Sequence, residues 1–463
     1  MEWARACRGA LIGGLACLVV LGAAGGGALR PPAASAARTA RSVAHRAGGR
    51  AVPAPALPDV VTTQIGHAAS EPTLGVASNG DVFYAAADII TTGNPLPPID
   101  VLRSADGGRS WDVVSPRAAG ANVHFSTGDP YVYVDRTDEG SRVFTVDLQG
   151  FMCSLLSFSD NGGESWTTNP LGCGRPVNDH QTVFAGPPVE SVTTLYPKIV
   201  YYCYQDVVSS TCSKSLDGGV TFVPTGGLSF SGMDEDGTIC GGLHGHGFGG
   251  PDGTVYIPKG HCGFPWLAIS KDEGATWTRV QVAELGSADH EASVAADGNG
   301  NVYYAYIGSN KLPYLVVSRD GGLTWGKPLM VGRPGVVETS LPSIDVGESG
   351  LVAFGYMGTQ DRPEEGRYDE VEWDGYVTTT RTALSRRPVF FSSSVNEPGD
   401  PLLRGECPQT KCGPVYDFID VVVAPDDTVW GAFVDGCLAA CAAAGIGPND
   451  GSEGLATHIT VPR

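Results

Sequence analysis

The chain has 463 residues, of which 42% are hydrophobic and 17% are charged, and its net charge is −20 at pH 7. That hydrophobic fraction excludes a disordered chain, and the acidic balance disfavours nucleic-acid binding because phosphate backbones would be repelled. The 64 Gly and 33 Pro residues are spread along the chain without a period. This composition predicts many tight turns between short strands and argues against a helical bundle.

Residues 1–36 have the features of a secretory signal peptide. Arg5 and Arg8 precede an apolar stretch at 10–24 that is too short to span a bilayer, and Ala36 ends a small-residue cleavage site, ASA. An uncleaved N-terminal anchor is the alternative. Residues 37–58 are rich in Ala, Pro and Arg and are expected to form a flexible leader. We therefore expect a secreted, extracellular protein whose residues 59–463 form one domain without a membrane span.

One octamer, Ser-x-Asp-x-Gly-x-(Ser/Thr)-aromatic, recurs along the chain. It reads SADGGRSW, SDNGGESW, SLDGGVTF, SKDEGATW and SRDGGLTW, with starts at Ser104, Ser159, Ser215, Ser270 and Ser318. An Asp can accept backbone N–H groups within its own turn, Gly supplies a positive φ, and the aromatic side chain can pack beneath a hairpin. The octamers therefore predict five hairpin turns, and a catalytic role for their acids is the less favoured alternative. The acids assigned to this structural role are Asp106, Asp160, Asp217, Asp272 and Asp320.

Between the octamers, hydrophobic residues alternate with the period of two that is typical of strands. Four strands fit into each unit, and four-stranded units repeated around an axis are the blades of a β-propeller. We expect an all-β propeller of seven blades, with six as the alternative. The inner strands are predicted to begin near Glu71, Asp129, His180, His246, Glu291, Ser340 and Asp417. The last unit has only three strands, so residues 60–65 are predicted to supply the fourth and close the ring.

Octamers of this kind on a propeller resemble the Asp-box, or BNR, repeat, and the chain from about residue 60 resembles the secreted bacterial type of the sialidase-like Asp-box propeller superfamily. The resemblance implies that the octamers are structural and lie on the face away from a site. For an exo-acting sialidase it would also imply an arginine clamp and a Tyr–Glu nucleophile pair. The candidates for these roles are Arg175, Arg333, Arg404, Tyr356 and Glu370. No inner strand begins with Arg, however, and Glu71 stands where an Arg-Ile-Pro motif would be expected.

In a propeller, the loops before strand one and between strands two and three meet at one rim of the central channel. The candidate ligand-binding residues at this rim are acids and imidazoles, namely Glu71, Asp129, Asp179, His180, His244, His246, His290, Glu291 and Asp417. Such groups perturb one another's pKa values when they lie close together. They could bind a glycan, Ca²⁺ through carboxylates or Zn²⁺ through imidazoles. Hydration of the channel mouth without any ligand, and catalysis, are the alternatives.

Ten cysteines remain after the signal peptide, an even number that suits an oxidising compartment. Neighbours in sequence are expected to pair as Cys153–Cys173, Cys203–Cys212 and Cys240–Cys262. For the last four we favour Cys412–Cys437 with Cys407–Cys441, because Cys412 and Cys437 hold the same positions in their blade as Cys240 and Cys262. The alternative is sequential, Cys407–Cys412 with Cys437–Cys441.

The favoured hypothesis is a non-catalytic propeller that binds a glycan, a cation or an extracellular partner at its acidic rim. An exo-acting glycoside hydrolase of the sialidase type is the alternative, and a pure scaffold is a third. No P-loop, HExxH or GxSxG motif occurs in the sequence. No cofactor is required under the favoured hypothesis, and a Ca or Zn ion at the rim is compatible with it.

Overall fold

The computed structural model describes residues 40–463 apart from 88–98, 117–127, 150–152, 172–177, 190–191, 207–208, 234–238, 241, 288–290, 363–370, 406, 408–411 and 445–448. The predicted signal peptide lies outside the described residues. Within them, no helix combines the length and the hydropathy of a membrane span. A short helix, α1 (Ala439–Ala444), and a 3-10 turn at Gly413–Val415 interrupt an otherwise β-structured chain.

The strands form seven antiparallel sheets, six of which have four strands. Three N-terminal strands join the last two sheets: β1 (Ser42–Arg46), β2 (Arg50–Ala51) and β3 (Asp59–Ala68). Sheet one contains β4 (Thr73–Val76), β5 (Val82–Ala87), β6 (Ile99–Ser104) and β7 (Asp112–Val113). Sheet two contains β8 (Tyr131–Thr137), β9 (Gly140–Gln149), β10 (Cys153–Ser159) and β11 (Thr167–Leu171). Sheet three contains β12 (Asp179–Gly186), β13 (Ile199–Asp206), β14 (Ser209–Ser215) and β15 (Val223–Pro224).

The remaining sheets repeat the same four-strand meander. Sheet four contains β16 (Phe248–Gly249), β17 (Val255–His261), β18 (Phe264–Ser270) and β19 (Thr278–Gln281). Sheet five contains β20 (Ser293–Ala296), β21 (Val302–Ile307), β22 (Pro313–Ser318) and β23 (Leu329–Met330). Sheet six begins with β24 (Glu338–Val346), β25 (Val352–Thr359), β26 (Glu372–Thr380) and β27 (Phe390–Ser394), and β28 (Leu403–Arg404) pairs with β26. Sheet seven contains β29 (Asp420–Val423), β30 (Thr428–Asp435), β31 (Glu453–Thr460) and the N-terminal β3.

The sheets close into a ring around a central channel. The first strand of each sheet contacts the first strand of the next, in the order β4, β8, β12, β16, β20, β24 and β29, and β29 returns to β4. Strands such as β5 and β21 are buried along their whole length because neighbouring sheets cover both of their faces. The predicted all-β propeller with four-stranded blades is confirmed, and the ring has seven sheets.

The N-terminal strand β3 closes the ring as the sequence predicted. It pairs with β31 in the register Asp59↔Thr460 to Gln64↔Leu455. Val60 and Ile65 point into the core shared with sheet seven. The closure joins residues from distant parts of the chain and covers the edge of β31 that would otherwise be unpaired.

The sequence analysis predicted a flexible leader over residues 37–58 and did not predict strands β1 and β2, which lie within it. Strand β1 adds to the outer edge of sheet six by pairing with β27, from Ser42↔Ser393 to His45↔Phe390. His45 is completely buried, and its Nε2 lies 2.7 Å from the Ser392 hydroxyl. Ser42, Ala44 and His45 are buried, whereas Val43 and Arg46 are partly exposed, so that this short strand in an Ala- and Arg-rich stretch lacks a clear period of two.

Each octamer forms the predicted turn between the third and fourth strands of its sheet. In the first, Asp106 Oδ1 accepts the backbone N–H groups of Arg109 (3.0 Å) and Ser110 (2.9 Å), and Oδ2 accepts the Ser110 hydroxyl at 2.7 Å. These hydrogen bonds lower the pKa of Asp106 to about 2. Asp217, Asp272 and Asp320 accept equivalent bonds from the Thr at the seventh position of their octamers.

The second octamer corrects one assignment. Asn161, not Asp160, occupies the acceptor position, since its Oδ1 accepts the hydroxyl of Ser159 at 2.8 Å and the N–H of Ser165 at 3.0 Å. Asp160 instead forms a two-pronged ion pair with Arg142 at 2.6 and 2.7 Å. The register of the repeat places the acceptor two residues after the Ser, and Asp160 is only one residue after it.

The octamer aromatics join neighbouring sheets. Trp166 Nε1 donates to the Val114 carbonyl in sheet one at 2.7 Å, and Trp277 Nε1 donates to the Gly227 carbonyl beside sheet three at 3.2 Å. The adjacent Gly163 has a φ of +90°, and a Cβ there would lie 2.6 Å from Val114 Cβ. This position therefore requires glycine both for its backbone conformation and for the close approach of the two sheets.

The described disulfides confirm part of the predicted pairing. Cys203–Cys212 joins paired positions of β13 and β14, and Cys240–Cys262 joins the loop before sheet four to the end of β17. Cys153 is disulfide-bonded, and its predicted partner Cys173 lies outside the described residues.

The favoured pairing of the last four cysteines is wrong. The structure contains the sequential bonds Cys407–Cys412 and Cys437–Cys441, with Cα–Cα distances of 4.2 and 5.0 Å. Cys407 and Cys412 close a loop just before the 3-10 turn, and Cys437 and Cys441 lie at the start of α1. These compact local segments bring neighbouring cysteines together, whereas Cys240 reaches Cys262 from a long loop.

Candidate functional site

The inner strands of the ring begin at the same end of the channel, and there the structure gathers most of the predicted rim residues. His180 is central to this rim cluster, which we define as Asp129, Asp179, His180, Glu291 and Asp417. A bulge at the start of β12, between Asp179 and Thr182, and a φ of +50° turn His180 out of the regular strand. Apart from half-buried Asp179, the members of the cluster are buried, with exposed fractions of 3% for His180, 5% for Glu291 and 8% for Asp129 and Asp417.

His180 is surrounded by acceptors. Its Nε2 forms an ion pair with Glu291 Oε1 at 3.1 Å, and its Nδ1 lies 3.1 Å from the His244 carbonyl oxygen. Burial alone would lower the pKa of His180, but the charges of Glu291, Asp417 and Asp129 raise it to about 10. His180 is therefore an imidazolium at neutral pH, held between a carboxylate and a carbonyl oxygen.

The acids Asp129 and Asp179 are adjacent to this imidazolium. The backbone N–H of His180 points to Asp129 Oδ2 at 3.2 Å and to Asp179 Oδ1 at 3.1 Å. Burial, followed by the charge of Asp179, raises the pKa of Asp129 to about 7. A hydrogen bond between the two carboxyl groups also favours the protonated form of Asp129. The cluster thus places a carboxyl group with a pKa of about 7 next to further carboxyl groups and an imidazolium.

An aromatic layer lies next to the rim cluster. The rings of Tyr131 and His246 meet edge to face at 4.7 Å, and Phe418 meets His246 at 5.1 Å and His180 at 5.7 Å. Burial, followed by the charge of His180, lowers the pKa of His246 to about 4. Burial also lowers the pKa of His244 to about 3, so that both imidazoles are neutral at pH 7.

Below the aromatic layer, the channel contains a cavity of about 330 Å³ lined by residues of the inner strands. Tyr131 and His246 of the aromatic layer line this cavity, and so do Asp345 and Asp420. Burial raises the pKa of Asp345 to about 6 and that of Asp420 to about 7. The sequence analysis missed Phe418, Asp345 and Asp420. Asp345 and Asp420 lie in predicted inner strands, and an acid within a strand that lines the channel is a signal that could have identified them.

The other predicted rim residues are partly accounted for. Glu71 is buried, has a φ of +52°, and donates its backbone N–H to the Val415 carbonyl at 2.9 Å, which places it beside the loop that carries Asp417. His244 provides the carbonyl contact to His180 described above. His290 lies outside the described residues.

The rim residues do not form a metal centre as they stand. Among the residues that the structure describes, one group of three His, Cys, Asp or Glu side chains has its ligand atoms within 4.8 Å of one another, and this group is Cys240, His261 and Cys262. The rim carboxylates and imidazoles belong to no such group in the described part of the chain. A Ca or Zn ion at the rim therefore remains a prediction, and the distances between the described rim residues do not support it.

The candidate sialidase residues that are described lie elsewhere. Arg333 is 2% exposed and donates to the carbonyl oxygens of Ser392 and Arg41, each at 3.1 Å. Arg404 pairs with Glu372 at 2.8 Å. Tyr356 is fully buried and accepts the Arg333 backbone N–H at 2.8 Å. These side chains stabilise sheet six and the segments packed on it, and Arg175 and Glu370 lie outside the described residues.

Comparison with models of known protein families and with curated proteins gave no match. Among solved structures, a protein of unknown function from Dyadobacter fermentans is 14% identical, with 87% of this chain and 99% of that chain covered and a TM-score of 0.44. The NanB sialidase of Streptococcus pneumoniae is 13% identical, with coverages of 83% and 68% and a TM-score of 0.41. The Aleuria aurantia lectin, solved with α-methyl-L-fucoside, is 11% identical, with coverages of 72% and 97% and a TM-score of 0.44. Similarity at this level assigns neither a family nor an activity to the chain.

Proposed function

We propose that the protein is a secreted, non-catalytic β-propeller that binds a neutral glycan at the rim of its channel. The observation that carries this proposal is the rim cluster, in which the carboxylic acid of Asp129, the half-buried Asp179 and the His180–Glu291 ion pair lie next to the rings of His246 and Phe418. Sugar hydroxyls both donate and accept hydrogen bonds, and their C–H faces pack against rings. A concave site with a few converging polar groups beside aromatic faces suits such a ligand.

The charge of the site favours a neutral glycan over an acidic one. The rim carries several carboxyl groups, and the chain as a whole has a net charge of −20. The two described arginines considered for a carboxylate clamp, Arg333 and Arg404, are committed to protein carbonyls and to Glu372. An acidic sugar would therefore meet like charge at the rim, and neither of these two described arginines is placed to offset it.

A glycoside hydrolase is the second candidate, and one observation favours it. The carboxyl group of Asp129 has its pKa raised to about 7, which is the property that a general acid needs near neutral pH. Against this, the nearby Glu291 carboxylate is held by His180 at 3.1 Å, although a retaining mechanism would need a second carboxylate able to attack the sugar. We therefore place binding before hydrolysis.

The test is a glycan array probed with the purified full-length secreted protein, followed by titration calorimetry with the best ligand. Asp179→Asn should weaken binding by about tenfold or more, because a charge-assisted hydrogen bond is worth roughly 1.5–3 kcal/mol. Asp138→Asn is the matched control, since Asp138 is exposed in the turn at the other end of β8 and should leave the affinity unchanged.

Three results would overturn this proposal. They are binding to acidic glycans alone, equal affinity of the Asp179→Asn variant and the wild type, and turnover of the bound glycan. A chelator should leave the affinity unchanged, and loss of binding on chelation would show a cation-dependent site instead.

A further inference from the structure

A second group of reactive side chains lies on the same side of the ring, between sheets three and four. Cys240 and Cys262 form a disulfide, and His261 immediately precedes Cys262 at the end of β17. The ligand atoms of all three residues lie within 4.8 Å of one another. His261 is 7% exposed, and its Nδ1 has no hydrogen-bond partner among the described residues. A buried imidazole nitrogen without a partner is costly unless something binds it.

This disulfide differs from the other described bonds in its accessibility. Cys262 is exposed in the turn between β17 and β18, whereas Cys240 is 1% exposed. Both cysteines are buried in each of the other three bonds whose partners are both described, with exposed fractions of 3% or less. We therefore expect a thiol reductant to open this bond before the other three.

His261 lies in a buried environment that it shares with a lysine and an aromatic ring. Lys259 precedes His261 by two residues on β17, so both side chains lie on the same face of the strand. Lys259 is fully buried, with its Nζ 5.6 Å from the centre of the Phe230 ring, and the His261 ring lies 5.3 Å from the same ring. The imidazole of His261 therefore lies in the same buried environment as Lys259 and Phe230.

We propose that Cys240, Cys262 and His261 become a zinc-binding site when the disulfide is reduced. The S–S bond breaks into two thiols when a dithiol supplies two electrons and two protons and becomes a disulfide, or when a phosphine supplies two electrons and water supplies two protons and the oxygen of the phosphine oxide. Zn²⁺ then replaces the two thiol protons, and the imidazole of His261 provides a third ligand, with water in the fourth position. Two thiolates and an imidazole suit Zn²⁺ rather than Ca²⁺, which prefers oxygen ligands.

The first experiment maps which disulfide opens. The oxidised full-length protein is treated under native conditions with a water-soluble phosphine, which does not compete for zinc through a thiol, and free thiols are then alkylated and located by peptide mass spectrometry. Cys240 and Cys262 should be alkylated before the cysteines of the other three described bonds. Prior opening of Cys203–Cys212, Cys407–Cys412 or Cys437–Cys441 would overturn the proposal.

The second experiment measures metal binding by the phosphine-reduced protein. One equivalent of Zn²⁺ should bind and protect Cys240 and Cys262 from alkylation, and Co²⁺ in its place should give a thiolate-to-metal charge-transfer band. His261→Gln should weaken zinc binding by at least about tenfold, because loss of even an outer-shell partner costs about 10–100-fold. The Cys437→Ser/Cys441→Ser double variant is the control, since it removes another disulfide but should keep the site.

Zinc affinity that is unchanged in His261→Gln, or zinc that fails to protect the two cysteines in the wild-type chain, would overturn the proposal. The protection assay needs no variant, so a substitution that prevents folding leaves the test intact. The outcome is also independent of glycan binding, which is measured on the oxidised protein.

Discussion

Replacing Asp129 by Asn should remove a pH dependence from the stability of the fold. In the folded protein the pKa of Asp129 is raised from 3.8 to about 7, with burial as the largest cause and the charge of Asp179 as the next. Between these values the unfolded chain releases the proton and the folded chain keeps it. The folded state then binds more protons, so its stability decreases as the pH rises from about 4 to about 7. Asn mimics the protonated acid and cannot titrate.

The size of the effect follows from the same change. A pKa raised from 3.8 to about 7 corresponds to on the order of 4 kcal/mol of stability lost across this pH range. The wild type should therefore lose stability relative to Asp129→Asn as the pH increases, and most of the difference should develop between pH 4 and 7. Other buried acids with raised pKa values, such as Asp345 and Asp420, have the same sign. Because they are present in both proteins, their contributions cancel in the difference between variant and wild type.

The assay is urea unfolding followed by tryptophan fluorescence at pH 4, 5, 6, 7 and 8, with the disulfides intact. His180 acts in a different range, because its pKa is raised from 6.5 to about 10, so the stability it contributes is complete below pH 6.5 and is lost as the pH rises towards 10. Asp138→Asn is the control and should differ from the wild type by the same amount at every pH. A flat difference between Asp129→Asn and the wild type, or one of opposite slope, would refute the assignment.

Three further predictions concern the ring closure, an octamer turn and the roles of the arginines. Ile65→Ala should lower the free energy of unfolding by about 2–5 kcal/mol, because it opens a cavity where β3 closes the ring. Val61 is exposed in the same strand, and Val61→Ala should change the free energy of unfolding by less than about 0.5 kcal/mol; both values are measured by denaturant unfolding. Asn161→Ala should lower the melting temperature by removing the turn acceptor, whereas Asn161→Asp should keep it by accepting Ser165 as the other octamer acids accept their partners. The protein should not hydrolyse a fluorogenic sialoside between pH 4 and 8, because Arg333 and Arg404 are engaged in structural contacts. If the wild type hydrolyses the sialoside and Arg333→Lys abolishes this activity, the structural role assigned to Arg333 is wrong.

The fold was largely predictable because its signals are local and repeated. The octamers mark the same turn in five sheets, and the period-two pattern between them places the inner strands within three residues of where they begin. The closing role of β3 followed from the missing strand in the last unit. Strand β1 was not predicted, because five residues in an Ala- and Arg-rich stretch carry too short a pattern, and its pairing with β27 is a contact between distant parts of the chain.

Details that depend on a single residue's position were harder to predict. Asp160 was assigned to the turn because it is an acid within the octamer, yet a displacement of one residue points its side chain to Arg142 and leaves Asn161 as the acceptor. The last four cysteines could pair in more than one way, and the analogy with Cys240 and Cys262 favoured the wrong pairing. The local bends at the 3-10 turn and at α1 decide the outcome, and neither was evident from cysteine spacing.

The rim was predictable by topology but not by chemistry. Equivalent positions at the starts of inner strands correctly bring together Asp129, His180 and Asp417, because a closed ring places those positions around one axis. The protonation states of these residues depend on how deeply each side chain is buried and on its ion-pair partner, such as Glu291 for His180. The spacing of the residues along the sequence gives neither of these properties. Phe418 was missed because an isolated aromatic residue beside a predicted strand gives no signal of facing the channel.

Several energetically unfavourable features lie at this rim, although comparable ones occur at the octamer end, where Glu273 has a φ of +58° and Asp135 is fully buried. Glu71, His180 and Tyr416, near the starts of inner strands or in the loops before them, have φ values of +52°, +50° and +65°, a conformation that costs a non-glycine residue roughly 1–3 kcal/mol. The same end of the channel buries Asp129 and the His180–Glu291 pair, and buried charges rarely stabilise a fold more than apolar residues of similar size. At the other end of the strands, the octamer turns are hydrogen-bonded, glycine-containing and joined by tryptophans to the next sheet. The octamer turns and the ring closure stabilise the fold, and under the proposed function the strained and buried residues of the rim are expected to hold their polar groups in place for the glycan.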